Sequence, residues 1–433
     1  MSPFAALAPR PKTLADTGLS ELFLADLVAK HLNEAGVLTL AQLSARTALA
    51  GPILESLLAF MRREARIEVR ANTDDAGSLR YGLTDHGRST ALDALLRSGH
   101  IGPAPVPLSD YSRIVRAQTV HGGHVDRGLV RTAFQDVVIN DDLLDQLGPA
   151  MNSGRAIFIY GPAGTGKTYI TQRLARLFTE LTLVPHSISA GDTVVQLFDP
   201  LIHKAVDDES SATSLLLDQG HDPRFVRCER PCVITGGELT TDLLEIQYDP
   251  ANRTYEAPLQ LKANNGIFII DDLGRQRVAP EKILNRWIVP MEEKRDYHSL
   301  GSGRHFVAPF DVVLIFSTNM HPLDLADEAF LRRIGYKIHF GYLTPDQYEH
   351  IWEDACSDRG VLFDPAVTNF LIKELHSPND VPLLPCHPRD LLGIALDQAT
   401  YNDQPPRLTP DLLRWAWSNY FVQLKDRELM RDC

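Results

Sequence analysis

Cysteine is scarce in this chain: five residues in 433, Cys228, Cys232, Cys356, Cys386 and Cys433, an odd and scattered set. That excludes a disulfide framework and points to a reducing cytoplasm. Long apolar runs are missing as well. The opening MSPFAALAPRPK lacks the basic start and apolar stretch of a secretory signal, and no later segment has the apolar length of a membrane-spanning helix. Positive charge is in deficit, with 43 Lys and Arg against 56 Asp and Glu and a formal net charge of -13. Such a chain has no global attraction for DNA or an anionic membrane, so any nucleic-acid contact requires a local patch. Internal repeats and low-complexity tracts are absent too. What remains is 44% hydrophobic and 23% charged, ordinary globular composition, and the length implies two or three domains.

The chain divides into three segments. In residues 1–108, apolar residues at helical spacing predict helices over Leu19 to Leu32, Thr39 to Ala48 and Pro52 to Ala65. Strands follow over Ile67 to Arg70 and Leu79 to Leu83, then a helix from Thr84 to Arg97. This order, with YGLTDHGR from Tyr81, resembles a winged helix, which implies a recognition domain. Its groove-entering helix would expose Glu55 and Ser56 at its start, with Arg62, Arg63 and Arg66 only at its end, and Asp74 and Asp75 lie in the wing turn. Carboxylates oppose phosphates, so a protein partner is favoured over DNA.

After the proline-rich break IGPAPVPLSD, residues 109–341 alternate short apolar strands with helices: Ala156 to Tyr160, Leu181 to Pro185, Ile267 to Ile270, Val312 to Phe316 and Tyr336 to Phe340. That alternation predicts an α/β fold with a parallel sheet between helices. Residues 342–433 read as a small helical lid. In the middle segment Cys228 and Cys232 are spaced CxxxC, but zinc takes four ligands and His221 is the only close candidate, so strand-core cysteines are expected. His121 and His124 in HGGH read as a flexible turn, and Trp287 as core or subunit contact.

The strongest motif is GPAGTGKT: Gly161, Pro162, Ala163, Gly164, Thr165, Gly166, Lys167 and Thr168, with Tyr169 next. It matches the phosphate-binding loop GxxxxGK[ST] directly after the strand AIFIY. Glycines let backbone N–H groups wrap phosphates, Lys167 supplies charge for the β and γ phosphates of ATP, and the Thr168 hydroxyl is offered to Mg2+. A helix must begin there to aim its positive end at the anion, and Ile170, Leu174, Leu177 and Phe178 fall on one helical face. A second apolar strand, GIFIIDDLG, ends in Asp271, placed to hold magnesium, and Asp272, placed to orient the attacking water.

With these motifs in this order, the chain resembles the AAA+ ATPases, most of which carry Glu where Asp272 stands. The resemblance assigns VVLIFSTN to sensor 1, with Asn319 near the γ phosphate, and HPRDLL to sensor 2, with Arg389 facing the nucleotide. In DEAFLRRIGYKI it implies an arginine finger, Arg333 preferred over Arg332, reaching ATP on a neighbouring subunit. The alternative for that pair is an exposed, salt-bridged helix end. A helix over Lys282 to Glu293, then a hairpin turning at Gly301 to Gly303 just before sensor 1, is similar to the MoxR-type ATPases. Their second inserted hairpin would be Ile246 to Leu261, turning at Asp249 to Asn252 beside Tyr248 and Tyr255, while Asp199 to Pro231 matches nothing. The resemblance implies a ring, a hexamer by preference, that remodels or assembles protein partners. A DNA-transaction ATPase of the helicase-loader or transposition-regulator type is the rival reading, since IDDLG is similar to the acidic strand end of helicase loaders. A nucleotide-gated switch, slow because Asp272 is short, is a third.

Overall fold

Ser20, Thr39 and Thr84 each accept a hydrogen bond from the backbone N–H three residues on, at Phe23, Gln42 and Gly87. These caps start three of the four main helices of the N-terminal unit. The structure, a computed structural model, describes residues 3–71, 79–206, 220–301 and 303–421. The helices run Glu21–Ala35, Leu40–Thr47, Gly51–Arg63 and Asp85–Arg97, around a core that includes Leu24, Leu43, Leu54, Leu57 and Met61. Ile67–Ala71 and Leu79–Leu83 pair antiparallel. A third strand, Val37–Thr39, pairs with the second of these and is too short to show as alternation in sequence. Asp74 and Asp75 lie outside the described residues.

The proline-rich break is packed rather than free. Val106–Pro107 forms an edge strand parallel to Ser187–Ala190, and Val106 is fully buried. Arg224, paired with Asp222 at 2.8 Å and buried with it, donates to the carbonyls of Thr17 and Pro105. Gly99 closes on the carbonyl of Asn252, where a β-carbon would stand 1.7 Å from the oxygen. Beneath this junction Lys30 Nζ donates to the carbonyls of Ser98 and His100, and His100 Nε2 bonds the carbonyl of Pro103.

The central sheet is parallel, with strands β1 Ile157–Tyr160, β2 Cys232–Thr235, β3 Gly266–Ile270, β4 Val312–Thr318 and β5 Tyr336–His339 in the order β2-β3-β4-β1-β5. Continuous apolar strands such as VVLIF suit a sheet buried on both faces. One face packs on Ile283, Leu284, Trp287 and Phe330, the other on Leu147, Ile170, Leu174 and Leu177. Trp287 is therefore core. One expectation fails here: Leu181 to Pro185 is not part of this sheet. Thr182–Pro185 pairs antiparallel with Phe225–Cys228 in a separate ribbon, and Cys232–Thr235 takes the edge position instead. Both Cys228 and Cys232 thus lie in strands, as expected. The helix expected over Lys282 to Glu293 is split at Trp287 into Pro280–Arg286 and Ile288–Glu293. Pro290 lacks the N–H that a continuous helix would use.

Both expected hairpins form. Arg295–Ser299 pairs with His305–Pro309 just before β4, and Gln247–Asp249 with Thr254–Glu256, the latter packing Tyr248 against Tyr255 with ring centres 4.8 Å apart. This second hairpin extends a sheet with Thr193–Gln196, Ser187–Ala190 and Val106–Pro107. A buried carboxylate ties the hairpin ahead of β4 to the helices Pro280–Arg286 and Leu259–Lys262: Asp296 accepts from Arg286 at 2.6 Å and from Gln260 at 3.0 Å. His121, expected in a flexible turn, lies in a packed 3-10 turn 3.6 Å from Asp311.

The C-terminal part is helical, with Pro345–Asp358, Pro365–Phe370 continued by a π turn over Leu371–His376, Cys386–Tyr401 and Pro410–Tyr420 around its own core. No helix among the described residues is long and apolar enough to cross a membrane.

Burial, aided by the neighbouring Lys30 ammonium, holds the His100 imidazole down to about 4. The unfolded chain takes up this proton near the ordinary histidine value of about 6.5, so the folded state loses stability as pH falls from about 6.5 toward about 4. His100→Gln keeps a donor for the Pro103 carbonyl and cannot be protonated. Chemical denaturation at pH 7 and pH 4.5 should give the variant a smaller acid-induced loss than the parent, by on the order of 1–3 kcal/mol. Equal losses in the two chains would show that His100 does not govern the junction.

Candidate nucleotide-binding site

The loop after β1 depends on glycines at positions where side chains do not fit. Gly161 has φ +148°, and a β-carbon there would stand 2.1 Å from the carbonyl oxygen of Phe340. Gly164, at φ +81°, lies under the C-terminal helical part, with the same construction ending 2.8 Å from Cys386 Sγ. Gly166 caps the helix Lys167–Arg173, whose Ile170 is buried with Leu174 and Leu177 beyond it, fixing the helix start below the loop.

Lys167 is buried, and its Nζ donates to the carbonyls of Gly161 at 2.9 Å and Pro162 at 2.7 Å and to Asn319 Oδ1 at 2.6 Å. Burial lowers its pKa below the usual lysine range, against the raising pull of Asp271 and Asp272. Asn319 passes the link on: its Nδ2 donates to Asp272 Oδ1 at 3.0 Å. Thr168 Oγ1 donates to Asp271 Oδ2 at 2.5 Å. The structure thus brings Lys167, Thr168, Asp271, Asp272 and Asn319 together at the C-terminal ends of β1, β3 and β4. A hydroxyl beside a carboxylate is a hard oxygen donor set, which fits Mg2+. Thr165 Oγ1 turns back to the Pro162 carbonyl at 2.9 Å, stiffening the loop, and exposed Tyr169 stacks under the Arg173 guanidinium at 3.4 Å.

Other expected residues stand apart from this cluster. Arg333 is held by Glu292 at 2.5 Å and by the carbonyl of Ala329, while Arg332 is 80% exposed with one partner, Glu328 at 3.5 Å. Arg389 is exposed on the first turn of Cys386–Tyr401, the helix whose start overlies the loop. Two features escaped the sequence. Gln276 binds the backbone of the acidic turn through both ends of its amide, a contact with no sequence pattern. Leu384 and Cys386 cover Gly164; their nearness to HPRDLL was the available signal. Burial pushes the thiols of Cys228 and Cys232 up to about 12 and about 11, and among the described residues no group of His, Cys, Asp and Glu could hold a metal on its own.

Residues 156–334 match the AAA domain of the dynein-related subfamily, and residues 344–419 match a domain of unknown function (DUF8689). No curated protein matches the chain. Among solved structures, the chain is similar to the Thermotoga maritima RuvB Holliday junction branch migration motor at 15% identity, covering 70% of this chain and 78% of that one with a TM-score of 0.41. It is also similar to NtrX from Brucella abortus at 13% identity, over 69% and 62% of the two chains, with a TM-score of 0.42. The sheet order, the glycine loop and the AAA match give the central domain as an AAA+ P-loop NTPase fold.

The Lys167 ammonium is the only formal charge within the loop. Lys167→Ala should weaken ATP binding by about a hundredfold or more, the loss of charged hydrogen bonds each worth about 1.5–3 kcal/mol. Titration with a fluorescent ATP analogue checks this, alongside a melting curve close to the parent's.

Proposed function

We propose that this chain is a magnesium-dependent ATPase that works as a ring, by preference a hexamer, in the cytoplasm, and that it remodels or assembles protein partners in the manner of the MoxR-type proteins. The observation that carries the ATPase reading is the hydrogen-bonded run Lys167–Asn319–Asp272 beside the Thr168–Asp271 pair. Loop amides and Lys167 bind the phosphates, so Lys167 exchanges its carbonyl partners and Asn319 for phosphate oxygens. Asn319 is then free to orient the γ phosphate or the water. Asp272 accepts a hydrogen bond from that water and aims it at phosphorus. Magnesium, held through Thr168 and Asp271, would neutralise charge on the β and γ oxygens.

Charge developing in the transition state needs a further cation, and Arg332 and Arg333 supply it from a neighbouring subunit in this reading. Arg333, the preferred finger, acts on release from Glu292, and Arg332 on release from Glu328. Arg389 contacts the nucleotide from the lid. The N-terminal unit serves as a winged-helix recognition module for protein, because Glu55 and Ser56 are exposed on its third helix ahead of Arg62 and Arg63.

Removing both arginines (Arg332→Ala with Arg333→Ala) should leave ATP binding near normal and slow hydrolysis by about a thousandfold, the scale of an arginine finger elsewhere. Subunits of that double variant and of Lys167→Ala, each inactive alone, should regain partial turnover when mixed. Inactive mixed rings would exclude a shared site, and the two single variants apportion the effect. The recognition role has its own measurement: the full chain should bind duplex DNA weakly and without stimulation of ATP turnover. Tight, salt-sensitive binding with stimulated turnover would support the DNA-transaction reading instead.

A further inference from the structure

Asp272 is held in the left-handed backbone region, at φ +48°. For a residue other than glycine this costs on the order of 1–3 kcal/mol and persists only where the surroundings impose it. Its side chain has one hydrogen bond, from Asn319 Nδ2, and that bond does not fix the backbone. Gln276 does. Its Oε1 accepts from the N–H of Gly274 at 2.9 Å. Its Nε2 faces three carbonyl oxygens, of Asp271 at 3.1 Å, Asp272 at 3.2 Å and Gly236 at 3.2 Å. One half-buried amide therefore spans the turn from Asp271 to Gly274 and fastens it to the residue that follows β2. The turn is closed further by Arg275 N–H donating to the Asp272 carbonyl at 3.0 Å and Leu273 N–H to the Ser317 carbonyl at 2.8 Å.

We propose that Gln276 is a positioning residue for hydrolysis: it imposes the left-handed turn that delivers the short Asp272 carboxylate to the attacking water. A carboxylate one methylene shorter than glutamate has less reach and fewer rotamers with which to correct a misplaced backbone. Its aim must come from the main chain, which Gln276 fixes at Asp271, Asp272 and Gly274, beside an Asp272 N–H bond to Asp271 Oδ1 at 3.0 Å and a Thr318 hydroxyl bond to the Leu273 carbonyl at 2.7 Å. The anchor on Gly236 adds a second property. Gly236 begins the 236–265 insertion that carries the Tyr248 hairpin, so displacement of that insertion pulls on the same amide that aims Asp272. This inference rests on the reading of Asp272 as the residue that orients the water.

The test measures steady-state ATP turnover of the full chain, its Gln276→Ala and Gln276→Glu variants, Asp272→Asn, and the Asp272→Asn/Gln276→Ala double variant. Gln276→Glu keeps side-chain length and the acceptor for Gly274 but loses the donors. Both Gln276 variants should lower kcat by about 10- to 100-fold, the scale of a misplaced catalytic group, with KM for ATP within about threefold of the parent. The double variant should be no slower than Asp272→Asn, because the residue being aimed is already disabled. A merely structural role would instead lower the residual rate further by the same factor, and that result overturns the proposal. So does a parental kcat in either Gln276 variant, or a Gln276→Ala chain that no longer binds ATP, which would make Gln276 part of the fold alone. A parent chain with no turnover removes the ATPase reading and this proposal with it. Normal parental turnover unaffected by Gln276 removes only the proposal.

Discussion

The missing side chain of Gly161 is the constraint on which the rest of the site depends. With the Phe340 carbonyl only 2.1 Å from where a β-carbon would be, the loop after β1 and the chain leaving β5 share space that no other residue allows. The Phe340 N–H closes the same contact by donating to the Tyr160 carbonyl at 2.8 Å. Residue 340 is also where the chain turns toward the lid, so loop and lid are referenced to one point. From there the loop places Lys167 against Asn319, and Asn319 against Asp272. Each later contact inherits its geometry from that first close approach.

The polar interactions away from the site serve attachment. Arg224 and Asp222 are buried together, and a buried ion pair contributes little net stability by itself. Its use here is geometric, because the guanidinium spends its remaining donors on the carbonyls of Thr17 and Pro105 and so fixes the N-terminal unit to the insertion between the Lys167 helix and β2. Asp296 does the same between the hairpin ahead of β4 and the helices that carry Arg286 and Gln260. The N-terminal unit is thereby tied to the insertion, and the hairpin ahead of β4 to the helices before it, through side-chain hydrogen bonds.

The residues that carry chemistry were legible because their physical requirements are local. A phosphate loop needs glycines, a lysine and a hydroxyl at fixed spacing after a strand, and Asp271 and Asn319 end apolar strands buried on both faces. The N-terminal helices were legible from periodicity. Leu181 to Pro185 misled because apolarity marks a strand without naming its partner. Pairing was decided by Phe225–Cys228, which lies beyond the strands Ser187–Ala190 and Thr193–Gln196 in the chain. Gln276 could not be read because its partners are backbone atoms, and backbone atoms leave no trace in composition. The arginines were legible as a motif, but their restraint by Glu292 and Glu328 depends on packing.

The order of the sheet also bears on how the chain reaches its fold. β1 is paired on both sides by strands that come much later, Val312–Thr318 and Tyr336–His339. During synthesis at about 5–20 residues per second, the apolar segment IFIY waits for roughly 150 further residues before either neighbour exists. Its later partner VVLIF is equally apolar, and an unpaired strand edge is a template for association with other chains. The N-terminal unit, whose strands pair within residues 37–83, has no such delay. Nascent chains of this protein thus pass through a stage with one finished domain and one exposed, adhesive strand. The interval between β1 and β4 therefore sets how long a nascent chain is open to association with other chains.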